Sequence, residues 1–404
     1  MPGTAFLPQG DPLGTAIGMG VAALVVIVIA FSYGYMIEVH PKAGGEYVYA
    51  NRTFGRKHAF FCVWFLVLAY IAIVPLNATA LGLVSRKLLN GLFEVGYLCS
   101  IAGYEVYAGE VALASAVLVL FAALSIKGVS FTGRMQTILT GCLVAAVAVL
   151  GSRRRAEPPC ISRKSSALFP SDTPAIAGVL PIVAVAPWAF VGFDSVPQAA
   201  EEFRFSAKKA TAIMVGAVLL GTFVYIVMNY VTASFMPWEQ MLSAGYDWPT
   251  GEAAESIMGE PGLAFLGIAV VCAILSGING FFMATSRLLY SVASEGDLPK
   301  WFGEVDEKNR TPKNAILFVL AVSLVALWFG REVLGWIVGM SSLGAAVGFT
   351  YACASCFVTI KRRGERRPIL RACALVGIAL GLTFVALLLV PGMPSFLSGQ
   401  RGYA

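Results

Sequence analysis

The residues of this chain with the most chemistry in them lie in one short stretch, PWAFVGFDSVPQAAEEF, residues 187–203. It places a carboxylate, Asp194, beside Gly192, Pro187, Pro197 and the aromatic Trp188, all within an apolar run. An ionisable group in such a run is costly unless paired or wet, so function is its default reading. Glycine permits unwound main chain, and proline removes a donor that would carry a helix on. Together they predict a helix broken at its middle. Unpaired backbone groups are expensive in hydrocarbon, so a break is tolerated only where protein, water or a ligand satisfies them. Half-helix ends offer N–H groups to an anion and carbonyls to a cation, and a zwitterion has both. Three roles are open to Asp194: drawing in an ammonium group, carrying a proton, or bonding only to the N–H groups of its own break. For the segment taken alone, a plain proline kink is the competing explanation.

Other chemistry is sparse. Two histidines, His40 and His58, and no His/Cys/Glu cluster give no metal-ligand spacing, and no cofactor is expected. Cys353 and Cys356 form a CxxC inside an apolar segment, where packing is expected rather than redox chemistry. No nucleophile–base pair supports an enzyme, and no ring of charge or repeated filter supports a channel.

The elements that must position these residues follow from composition. Hydrophobic residues make up 58% of 404 and charged residues 13%, which marks an all-α integral membrane protein. Apolar segments run over about 13–37, 60–84, 111–126, 135–151, 176–200, 213–233, 263–289, 315–329, 333–360 and 370–390. The third, fourth and eighth are short for a bilayer of about 30 Å, so their ends are expected to extend further. No soluble insertion divides them, and residues 1–404 read as one transmembrane domain. Loops on one side carry 20 of the 29 Lys and Arg, so that side is cytoplasmic. The run Arg153–Arg155 is an exception with no physical account. Because the basic residues follow sidedness, the net charge of +6 does not point to nucleic acid. The expected partners are the lipid bilayer and a small-molecule substrate, and the expected location is the cell membrane, multi-pass. Oligomeric state is not legible.

The opening, MPGTAFLPQGDP, has a counterpart to the first motif. Gly3 is followed by Phe6 and Pro8, as Gly192 is followed by Phe193 and Pro197. Each precedes four further segments, giving a five-plus-five division with 370–390 left over. Interruptions at matching places in two halves point to a transporter built from inverted repeats. On this reading residues 1–12 are part of an interrupted first helix whose inner half is missing from the chain.

Longer motifs now become informative: PKAGGEYVYANRTFG (41–55), WAFVGFDSVPQAAEEF (188–203), SRLLYSVASEGDLPKWF (286–302) and PGTAFLP (2–8). They resemble the amino acid/polyamine/organocation permeases over nearly the whole chain. The resemblance implies a leucine-transporter-like five-plus-five inverted repeat with discontinuous first and sixth helices, here without a twelfth. It implies a secondary transporter of amino acids or related amines working by alternating access; a non-transporting amino-acid sensor or an inactive truncated permease is the alternative. It places Trp188 over the substrate. The carbonyls of Ala189, Phe190, Val191 and Gly192 are expected to meet the substrate ammonium, and the N–H groups of Gly3, Thr4 and Ala5 its carboxylate. Phe281 is expected as a site wall, and Tyr70 and Asn77 as path-lining or packing residues. Glu201 and Glu202 are expected in an ionic cluster with Arg204, Lys208 and Lys209, and Tyr47 and Tyr49 at the membrane interface after a flexible Gly44–Gly45. Some proton-coupled relatives carry a lysine on helix five; here Leu143 stands in that place, which leaves exchange, facilitated diffusion or coupling through Asp194.

Overall fold

The computed structural model describes residues 2–101, 103–152, 179–180, 182–183, 189–233 and 248–391. The helices are α1 (Pro2–Val39), α2 (Gly45–Phe54), α3 (Arg56–Leu88), α4 (Ala108–Ile126), α5 (Val129–Ser152), α6 (Ala207–Ala233), α7 (Pro249–Met258), α8 (Glu260–Ser294), α9 (Lys313–Ala326), α10 (Gly330–Arg362) and α11 (Pro368–Leu389). Lipid offers no hydrogen bonds, so each apolar run satisfies its own backbone by coiling. Eight of these helices are long and apolar enough to cross a membrane. Two of the three short segments extend, α4 starting at Ala108 and α5 spanning Val129–Ser152, while the eighth, α9 with its closing 3-10 turn, gains only two residues over 313–329 and stays short.

One boundary differs from expectation. Residues 2–39 form a single helix, so the break anticipated between Gly3 and Pro8 is absent from α1. The reason is positional. Pro2 and Gly3 lie in the first turn, whose N–H groups have no intrahelical acceptor in any helix, and Pro8 one turn later gives up a single bond. Three elements went unanticipated, α7 (Pro249–Met258) among them. An antiparallel hairpin, β1 (Tyr97–Ile101) and β2 (Tyr104–Tyr107), lies between α3 and α4, and α2 is a helix where the sequence read as a loop. Arg86 anchors the hairpin, bridging Glu110 at 2.6 and 2.9 Å and lying over the Tyr104 and Tyr107 rings.

α3 lies between α8 and α10, α1 runs along α6, α5 along α8, and α11 along α10. Close approach depends on small residues, as expected where lipid removes the hydrophobic drive between helices. A side chain on Gly344 would collide with the Phe65 carbonyl of α3, while Ser341 donates to the Ala69 carbonyl at 3.2 Å. Cys353 and Cys356 are buried in this bundle, in keeping with a packing role. Gly344→Leu is expected to cost about 1–3 kcal/mol by overpacking and to lower the melting temperature in detergent. Gly216→Leu, where a Cβ meets nothing within 4 Å, is the control and should leave it unchanged or raise it slightly.

Candidate functional site

The segment that carries Asp194 is interrupted. After Ala189 the chain turns, Gly192 takes φ 125° and ψ −29°, and two 3-10 turns follow, Phe193–Ser195 and Pro197–Glu202. That φ is one that residues with a Cβ rarely adopt, which accounts for glycine at 192.

Asp194 is fully buried and holds the break together. The Gly192 N–H donates to one carboxylate oxygen at 2.7 Å, and the Tyr70 hydroxyl of α3 donates to the other at 2.7 Å. Of the three roles open to Asp194, capping its own break is therefore realised, with Tyr70 added. Tyr225 of α6 donates to the Ala189 carbonyl at 3.1 Å, and Ser195 to that of Gly192. Two of the four carbonyls expected to face a substrate thus already accept bonds. Phe281 is buried against the break: its ring meets Tyr70 edge-on at 5.5 Å, and its tip lies 3.9 Å from where a Cβ on Gly192 would stand. Phe190 is buried and Val191 half-buried. Trp188 lies outside the described residues, and Gly3, Thr4 and Ala5 fall in the first turn of α1, away from any interruption. Asn77 bonds the Ile73 carbonyl of its own helix at 2.9 Å and packs on Gly277, the packing role rather than the path-lining one.

A second layer lies beneath the break. Glu46 of α2 is fully buried and accepts from Tyr33 at 2.6 Å and from Gln198 at 2.7 Å. It sits between the first two membrane spans; burial pushes its carboxyl up to about 8, and the nearby Asp194 charge adds to this. Gly44 and Gly45 make room for α2. A side chain on Gly44 would run into Ser291 of α8, and one on Gly45 would lie 2.8 Å from Gln198. Tyr47 and Tyr49 are fully buried, not at the lipid interface, because α2 is enclosed by these neighbours.

A third layer closes this end of the bundle and joins two motifs that lie far apart in sequence. Tyr47 donates to Asp297 at 2.6 Å, Arg56 pairs with the same carboxylate, Arg52 pairs with Glu295 at 3.0 Å, and Ser291 donates to the Ala43 carbonyl at 2.8 Å. Arg287, 7% exposed, grips Glu202 at 2.7 and 3.2 Å. Glu202 thus pairs with α8 and not with the neighbouring Arg204, Lys208 and Lys209, and Glu201 is exposed. Glu46, Gln198, Tyr33 and Arg287 were not foreseen as site residues. Gln198 had a usable signal, standing four residues after Asp194 and so one helical turn below it.

A groove of about 740 Å³ opens between α5 and α8, lined by Thr132, Gln136, Asn279 and Met283 among others. None of the described residues of the break lines it, nor does Phe281.

A family model described as amino acid permease matches residues 2–401. An uncharacterised transporter of Rhizobium meliloti is 26% identical over 353 residues, covering 85% of this chain and 71% of that protein. The branched-chain amino acid permease BcaP of Lactococcus lactis is 23% identical over 379 residues, covering 91% and 79%. The large neutral amino acids transporter small subunit 2 of Homo sapiens is 27% identical over 314 residues, covering 76% of this chain and 56% of that protein.

The geometry at the break predicts opposite outcomes for two glycines. Gly192→Ala should destabilise the purified protein by about 1–3 kcal/mol through backbone strain. Gly280→Ala, in mid-helix with open space around it, should be neutral or stabilising by up to about 1 kcal/mol. Thermal unfolding of both variants in detergent checks this.

Proposed function

This chain belongs to the amino acid permease family, and on that footing we propose that the break at Gly192 is where it binds a small zwitterion for transport by alternating access. The protein is a multi-pass membrane protein of a family of transporters rather than enzymes. The observation that carries the proposal is the left-handed turn at Gly192 within a buried segment. It frees main-chain groups at a depth where only protein or a bound solute can satisfy them.

The carbonyls of Phe190 and Val191 are the remaining candidates for the substrate ammonium, with the Asp194 carboxylate providing a favourable field beside them. Trp188 is assigned to a stacking wall, whereas Gly3, Thr4 and Ala5 stand about 40 Å along the continuous α1 from the Tyr33 that meets Phe193 of the break, too far to share one small solute with it. Phe190 and Phe281 line the break with buried aromatic rings, which favours an apolar side chain on the substrate. Relatives named for branched-chain and large neutral amino acids fit that preference. A relative named as a methylthioribose transporter keeps other small solutes in the test.

Purified protein in proteoliposomes, loaded with unlabelled leucine, should exchange it for external radiolabelled leucine or phenylalanine and be slower with arginine and methylthioribose. Phe281→Ala should raise the half-saturating leucine concentration about 10-fold, about 1.4 kcal/mol of lost contact. The proposal falls if none of these solutes enters faster than into empty liposomes.

A further inference from the structure

Two described carboxylates, Glu46 and Asp194, are fully buried without a cation. Glu110 is also buried, but Arg86 neutralises it. Asp194 takes its bonds from a backbone N–H and a tyrosine hydroxyl within and beside the break. Glu46 takes its side-chain bonds from two neutral donors, Tyr33 and Gln198, takes part in none of the described ion pairs, and is the one that the inner half of the broken segment rests on. The groups facing it are Tyr33 of α1, Tyr49 of its own helix, Cys62 and Tyr70 of α3, and Asp194 and Gln198 of the broken segment; α10 presents Gly348. None of these is a cation. Two carboxylates in one buried neighbourhood, with no positive charge between them, do not both ionise readily.

Gln198 ties this carboxyl to the broken segment: its amide nitrogen donates to Glu46 at 2.7 Å. A neutral amide supplies a dipole and no counter-ion, so the contact that seats the inner half-helix on Glu46 leaves the buried carboxyl without a charge partner.

We propose that Glu46 is a proton-binding site of the cytoplasmic half, neutral while Gln198 of the broken helix rests on it and ionised when that half-helix moves off and water enters. The proton passes from the carboxyl to cytoplasmic water on opening and returns on closing, so the step balances without another reactant. High pH on the inner side therefore favours the inward-open form, and low pH holds the inner end shut. The motion rests on the transport reading above; the proton site itself does not.

Two measurements separate them. In proteoliposomes with fixed external pH, wild-type leucine exchange should rise at least about 3-fold as internal pH goes from about 6 to about 9, while Glu46→Gln stays flat. In detergent, thermal unfolding needs no transport. A carboxyl whose folded pKa is raised keeps a proton the unfolded chain has lost, so stability falls as pH rises from the unfolded value to about 8 and then levels. Wild type should show that fall and Glu46→Gln should not. Tyr33→Phe, which removes a donor to the ionised form, should move the wild-type profile up by about one pH unit; should Glu46→Gln fail to fold, this variant decides. Wild-type pH profiles in Glu46→Gln, or an unshifted profile in Tyr33→Phe, overturn the proton site. If wild type moves no solute but its unfolding shows the Glu46-dependent fall, transport fails and the proton site stands.

Discussion

A helix interrupted inside a bilayer persists only if something takes up the peptide groups it sets free. Here Asp194 does so. One oxygen caps the Gly192 N–H within the turn, and the other reaches Tyr70 of α3, so a single carboxylate both completes the break and ties it to the neighbouring helix. Tyr225 does the same for the Ala189 carbonyl from the side of α6. The break is thus a rigid feature held from two helices, and its shape follows from the one glycine whose backbone dihedrals permit it.

From that level to the rim, the broken segment, α2 and α8 are joined by contacts of decreasing burial. Glu46 and Gln198 are out of solvent altogether. Arg287 and Glu202 come next, with the arginine side chain 8% and the glutamate 36% exposed. Arg52–Glu295 lies outermost, at 45% and 31%. Exposed pairs contribute little because water screens them and mobile side chains must be ordered. A buried arginine that loses its partner is costly. The energy that keeps this end closed therefore resides in the inner contacts, and the outer salt bridges mainly set register.

α2 is the element that makes this arrangement a unit. Its glycine pair fits between Ser291 of α8 and Gln198 of the broken segment, and its tyrosines reach further, Tyr47 to Asp297 just beyond α8 and Tyr49 to Tyr33 of α1. A short helix of that kind couples the rim to the break because all three share its side chains. The 41–55 and 286–302 motifs, separate in the chain, are two halves of one contact.

Much of this was legible in the residues alone. The apolar runs determined the helices, since backbone in lipid has no other way to bond, and Gly192 with Pro197 located the break because those two residues act on their own backbone. What required the tertiary structure was every pairing across helices. Nothing in GGEYVY told that Glu46 is sealed beneath Asp194, or that Tyr47 is buried and not interfacial. Nor did PQAAEE tell that Glu202 chooses Arg287 over the nearer Arg204. The first helix shows the limit from the other side: Gly3 and Pro8 match the spacing of the real break, yet at a helix start the same residues interrupt nothing. Glycine and proline state what a backbone can do; burial and the groups that surround it decide what it does.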